Sequence, residues 1–182
     1  MREEVNEMKR CLIVVDYQND FVSGSLGFPQ AAALEQHIAQ KIKQYRDSGD
    51  EVVFTLDTHY NDYLDTQEGR RLPVAHCLKY TDGHELYGHV KTLSLDSDMR
   101  FCKLTFGSDA LYSFLKAEPF QSIELIGLVS NICVIANAVL AKTAQPETPI
   151  LVDAKCTASH DEHLHRAALD VMEGLQIQVI NR

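Results

Sequence analysis

No run of apolar residues in this 182-residue chain approaches the roughly 18 to 20 that a membrane-spanning helix needs. The first ten residues, MREEVNEMKR, are charged and lack the apolar stretch of a signal peptide, so a soluble cytoplasmic protein is expected. Positive charge is also scarce. Seventeen Lys and Arg stand against 26 Asp and Glu, giving a net charge of −9. Nucleic acid and anionic membranes both attract a basic face, so neither is expected as a partner. The five cysteines (Cys11, Cys77, Cys102, Cys133, Cys156) are odd in number and contain no CxxC pair. They read as free thiols, not as a disulfide framework. Repeats, low-complexity tracts and linkers are missing too, and residues 1–182 are expected to form one domain with a real core. An acidic domain of this size is compatible with homo-oligomerisation.

What the chain does contain is an alternation of short β-branched runs with helical patterns. Strands are expected at 11–15 (CLIVV), 51–56 (EVVFTL), 99–103, 122–128 (SIELIGL), 150–152 and 176–180. Helices are expected at 31–46, ending before Gly49, and at 109–116, 131–143 and 160–173. This order predicts a three-layer α/β/α fold around a mostly parallel, Rossmann-like sheet of six strands.

Ligands of an open parallel sheet bind beyond the C-terminal ends of its strands. Those ends carry Asp16, Asp57, Lys103, the turn 129–133 and Asp153. Cys133 follows a buried strand and opens a helix, with Ser130 and Asn131 as candidate caps. A thiol at a helix N-terminus has a depressed pKa, and the same turn can aim N–H groups at an oxyanion. Taken singly, each residue has a plainer reading: a structural cysteine, a turn-capping aspartate, a snorkelling lysine between Phe101 and Phe106. Taken together they make a Cys/Asp/Lys cluster in which the carboxylate takes the thiol proton and the ammonium steadies the charge.

Residues 57–98 carry almost no strand or helix signal but hold four of the eight histidines, which favours a functional loop. Asp57-x-His59, then Glu68 and His76, supply two carboxylates and two imidazoles. That set suits zinc, manganese or iron(II), with water completing the shell, and the alternative is a solvated loop. His84 and His89 lie close enough to compete as ligands, whereas His160, His163 and His165 read as an exposed helical face.

Three motifs, VVDYQNDFVSGSL (14–26), FCKLTFGS (101–108) and GLVSNICV (127–134), resemble those of the nicotinamidase/isochorismatase-like cysteine hydrolases, a likeness that runs from about residue 10 to residue 180. The resemblance implies the isochorismatase-like hydrolase fold, with Asp16 as base, Lys103 as the third member and Cys133 as nucleophile. It implies a cis peptide at Leu128–Val129 and an oxyanion hole from the N–H groups of Val129 and Cys133. Asp57, His59, Glu68 and His76 match the family's metal signature for nicotinamidases, which implies a divalent metal, zinc before manganese or iron, beside a ring held by Phe21 and Phe106. The implied activity is hydrolysis of nicotinamide, a small-molecule amide, to nicotinate and ammonia through a thioester. The alternatives are another small amide or isochorismate on the same scaffold, or a catalytically silent binding protein. Ser130-Asn131 departs from the family's usual Thr-Asp, and the 57–98 loop is short.

Overall fold

The computed structural model describes residues 8–182; the first seven, most of the charged N-terminal stretch, lie outside the described residues. Six strands form one sheet: β1 (Cys11–Val15), β2 (Glu51–Asp57), β3 (Arg100–Lys103), β4 (Ile123–Leu128), β5 (Ile150–Ala158) and β6 (Gln178–Ile180). Their order is β3-β2-β1-β4-β5-β6, and every neighbouring pair is parallel. The chain steps outward from β1 to β3, then restarts at β4 on the other side of β1. Strand order therefore reverses between β1 and β4, the place where such sheets open a crevice for ligands.

All five residues of β1 are 0% exposed, because both faces of the sheet are covered. Leu12 and Val14 pack with the helices α1 (Asn19–Val22), α2 (Pro29–Ala33), α3 (Glu35–Asp47) and α5 (Gly88–Leu93). Cys11, Ile13 and Val15 point the other way, onto α6 (Asp109–Ala117), α7 (Ile135–Ala144) and α8 (Glu162–Gly174). The alternation of side chains along an extended strand divides one apolar run between two cores. Ile38 and Ile42 of α3 are fully buried, each contributing about 1.5–3 kcal/mol. No helix among the described residues is long and apolar enough to cross a membrane.

Local structure departs from the sequence reading in instructive places. The helix expected at 31–46 is two helices that meet at Leu34, whose N–H bonds Ala31 three residues back. Ala31, Leu34 and Ile38 enter the same core, so the apolar period runs on across the break. β5 continues six residues past Val152, because the charge on Asp153 is met by Lys41 (2.8 Å) and by Asn181 (2.9 Å). Asp153 thus sits mid-strand on the α3 side and does not join the strand-end cluster. α8 starts at Glu162 under the Asp161 side chain, which accepts from the N–H groups of His163 and Leu164. β6 begins only after Gln176, whose φ of +62° is left-handed.

Segment 57–98 is more structured than its sequence suggests. It holds α4 (Gln67–Arg71), α5 and single turns at Tyr63–Asp65 and Asp82–His84. These elements are too short to show a helical period, which is why pattern reading passes over them.

Candidate active site

The ends of β1, β2, β3 and β4 meet at the crevice. Asp16 follows β1 with φ +46°, a left-handed conformation that non-glycine residues adopt at a cost and that clusters at functional sites. Beside it, Gly127 of β4 has φ +109°, and a Cβ there would lie 2.0 Å from the Val15 carbonyl oxygen. Only glycine allows the two strands to pack this way. The next peptide bond but one, Leu128–Val129, is cis. Cys133 then falls inside a π-helical turn, Ser130–Val134, that leads into α7.

Asp16, Lys103 and Cys133 are 0%, 3% and 6% exposed and touch one another. The Lys103 ammonium lies 2.7 Å from Asp16 Oδ2 and donates to Cys133 Sγ at 3.5 Å, to Asp57 Oδ1 at 3.1 Å and to the Thr105 carbonyl at 3.0 Å. Thr55 Oγ1 donates to Asp16 Oδ1 at 2.7 Å.

Asp57 faces two ways. Its Oδ1 receives Lys103, and its Oδ2 lies 2.9 Å from His59 Nε2 and 3.3 Å from His76 Nε2. Ligand atoms of Asp57, His59 and His76 all lie within 4.8 Å of one another, as one cation requires. Glu68 is the looser fourth member, with Oε1 3.8 and 3.9 Å from the two imidazoles. His76 Nδ1 donates to the Val74 carbonyl at 2.8 Å, which leaves Nε2 as the nitrogen that faces the cluster. The chain reaches this arrangement by folding the loop back on itself: His59 N–H donates to Cys77 O, and Lys79 N–H to His59 O. The donor set therefore fits a divalent metal. His84 instead meets Thr58 Oγ1 (2.9 Å), and His89 lies beside Glu35, so neither competes as a ligand.

A cavity of about 240 Å³ opens over this cluster. Cys133, Val129, Asp57, Glu68 and His76 line one part, and Phe21, Leu26, Leu72, Phe106 and Ile132 make it apolar elsewhere. Both expected ring contacts, Phe21 and Phe106, are on its wall.

The isochorismatase domain family matches residues 10–182. The chain belongs to the isochorismatase family. Among solved structures, it is similar to the nicotinamidase/pyrazinamidase of Bacillus subtilis, at 30% identity and TM-score 0.83, over 94% of this chain and 99% of that one. It is also similar to an N-carbamoylsarcosine amidase of Thermoplasma acidophilum, at 27% identity and TM-score 0.79, over 94% and 95% of the two chains. A third structure, the pyrazinamidase of Pyrococcus horikoshii in complex with zinc, shares the fold at 21% identity and TM-score 0.82, over 96% and 99%.

The electrostatics of this isochorismatase-family site correct one expectation. Burial pushes the Cys133 thiol well above the usual range; Lys103 opposes the shift, while Asp16 and Asp57 add to it. Cys133 therefore rests as a thiol, not as the thiolate expected of a helix N-terminus. Burial is the main cause of the reversal, the two carboxylates add to it, and neither Ser130 nor Asn131 caps the turn with its side chain. Burial likewise raises Asp16 against the pull of Lys103. Lys103 remains charged: burial works to lower its pKa, but Asp16, Cys133 and Asp57 outweigh it. Asp57 is held low, since the bonds from His59 and His76 and the charge of Lys103 together exceed the effect of burial.

Several site residues escaped the sequence reading. Tyr63 packs against the imidazoles of His59 and His76, with ring centroids 4.6 and 5.0 Å away. Gln18 ties down the end of β2, donating to Asp57 O and accepting from Asp57 N–H. His160 precedes α8, stacks on Phe28 (centroids 4.1 Å apart) and lines the cavity, while His165 Nδ1 lies 2.9 Å from Ser130 Oγ. Only His163 of the three fits an exposed helical face. Helical periodicity could not separate them, because the helix begins after His160.

Proposed function

We propose that this isochorismatase-family protein is a nicotinamidase, hydrolysing nicotinamide to nicotinate and ammonia through a thioester on Cys133. It is a hydrolase of the class that acts on non-peptide C–N bonds. The observation that carries the reading is the Lys103 ammonium, in contact at once with the Asp16 carboxylate, Cys133 Sγ and Asp57 of the metal-type cluster.

In the first half-reaction Asp16 takes the Cys133 proton as sulfur attacks the amide carbon. A resting thiol makes that base necessary. Lys103 stays protonated and offsets the negative charge that shifts between carboxylate and sulfur. The N–H groups of Val129 and Cys133 receive the oxyanion. Collapse breaks the C–N bond, and Asp16 returns its proton to the nitrogen as ammonia leaves. In the second half-reaction water attacks the thioester with Asp16 as base. The second collapse breaks the C–S bond, the proton goes back to sulfur, and nicotinate departs.

Asp57, His59, His76 and Glu68 would hold the divalent metal, zinc before manganese or iron, which when bound supplies a Lewis-acid contact for the ring nitrogen. Phe21 and Phe106 flank the ring, and the apolar walls exclude competing water.

A second reading, another small amide, draws on the likeness to an N-carbamoylsarcosine amidase. Ammonia release from a panel containing nicotinamide, pyrazinamide and an N-carbamoyl amino acid tests both. Fastest release from nicotinamide, lost on chelation, is the expected result. Release from the carbamoyl compound alone, untouched by chelator, overturns the nicotinamidase reading.

A further inference from the structure

We propose that Asn137 is a positioning residue that sets the width of the substrate slot by tying the Phe106 wall to the nucleophile turn. The proposal rests on the reading of Cys133 as nucleophile and of Phe106 as a ring contact.

Asn137 lies one helical turn beyond Cys133 and is 0% exposed. The other buried residues of α7 are Ala138, Ala141 and Ala144, so an amide stands in a seam of small apolar side chains. An amide is costly there unless it is bonded, and this one is bonded three times. Its Nδ2 donates to the carbonyls of Cys133 (2.8 Å) and Phe106 (3.0 Å), and its Oδ1 accepts from Ser108 N–H (3.0 Å). One side chain thus joins the turn that carries the thiol to the loop that follows Lys103.

That loop has few other means of holding its place. Leu104 and Phe106 are 67% and 46% exposed. Yet its Thr105 carbonyl accepts from Lys103, and Phe106 forms a cavity wall. Its second tether is close packing of Gly107 on α7: a Cβ at Gly107 would lie 2.8 Å from Leu140 Cδ1. Beyond the bond from Lys103 at the start of the loop, the distance from Phe106 to the sulfur is therefore set by Asn137 and by this contact.

The test uses the metal-loaded full chain and the variant Asn137→Thr. Threonine can still donate to the Cys133 carbonyl four residues back, but it is too short to reach Phe106 or Ser108. The expected result is a KM for nicotinamide about tenfold higher with kcat within about threefold, because the slot loosens while the nucleophile stays in place. Asn137→Ser, which is smaller and likewise keeps only the reach to the Cys133 carbonyl, should move KM in the same direction and serves if Asn137→Thr does not fold. A lower melting temperature with KM unchanged in the folded variant overturns the proposal, as does a loss confined to kcat.

Protection of Cys133 from iodoacetamide by added nicotinamide reads the same slot without turnover, and weaker protection of the variant supports the proposal. Wild-type protein that is protected but releases no ammonia overturns the amidase reading alone. Equal protection of wild type and variant overturns the positioning role, and no protection of the wild type overturns both.

Discussion

The two halves of the site are built differently. Asp16, Lys103 and the turn bearing Cys133 follow strands whose register is held by parallel ladders on both sides of β1. His59, Glu68 and His76 belong to a loop fixed by individual tethers: a short bridge between His59 and Leu78, the Gln18 contacts, and Asp20 Oδ2 accepting from Cys77 N–H at 2.7 Å. Asp57, the last residue of β2, is common to both. Placing the reacting groups on the sheet gives them the stability of the core. Placing the ligand groups on a loop makes their geometry depend on a handful of bonds, so the metal half should be the first to yield to mutation.

The largest effect should come from the sheet half. Asp16→Asn keeps the volume and removes the proposed base, and turnover should fall by about 10²- to 10⁴-fold with the melting temperature little changed. Steady-state kinetics and thermal melts check this; near-normal activity in the folded variant would remove Asp16 from the mechanism. Next in size is metal removal. Chelation should cost about 10- to 100-fold in nicotinamide turnover while iodoacetamide still reaches Cys133, a contrast read by elemental analysis and paired thiol labelling. If chelation silences both halves together, their independence is wrong.

Asp20→Ala removes the carboxylate that holds the loop at Cys77 N–H and that also accepts from Ser25 N–H. It should weaken metal affinity and cost about 1.5–3 kcal/mol of stability, the usual worth of a hydrogen bond to a charged group. Metal titration and denaturant unfolding should show the loss, with the Cys133 alkylation rate unmoved. The smallest effect concerns pH. Burial raises the Cys133 pKa, so its thiolate fraction lies on the rising limb throughout neutral pH. Alkylation should accelerate about tenfold per pH unit from 7 to 8, and a plateau in that range would show a thiolate already formed.

How far each half could be read from sequence follows the same division. The strand runs and their polar ends exposed Asp16, Lys103 and Cys133, because a parallel sheet always presents its strand ends to the crevice. The candidate metal ligands were legible as residue types, but the fold-back that sets His84 and His89 apart from them was not. Asn137 could have been flagged as an amide inside a helical run of alanines, a position where asparagine is normally unfavourable. Asp153 misled because charge looks like a strand end until Lys41 is seen beside it.

By itself, the sequence determined the order of the six strands and of the longer helices, the acidic charge balance, the parallel core and the chemistry available at the strand ends. Those are matters of local periodicity and residue type, which no distant contact alters. Tertiary structure alone decided that Asp57 joins the thiol cluster to the ligand cluster, that Cys133 rests protonated, that His160 and Tyr63 border the site, and that Asn137 bridges two segments. Each of these depends on groups far apart in the chain being desolvated together, and the energy of a buried charge or amide is set by those neighbours.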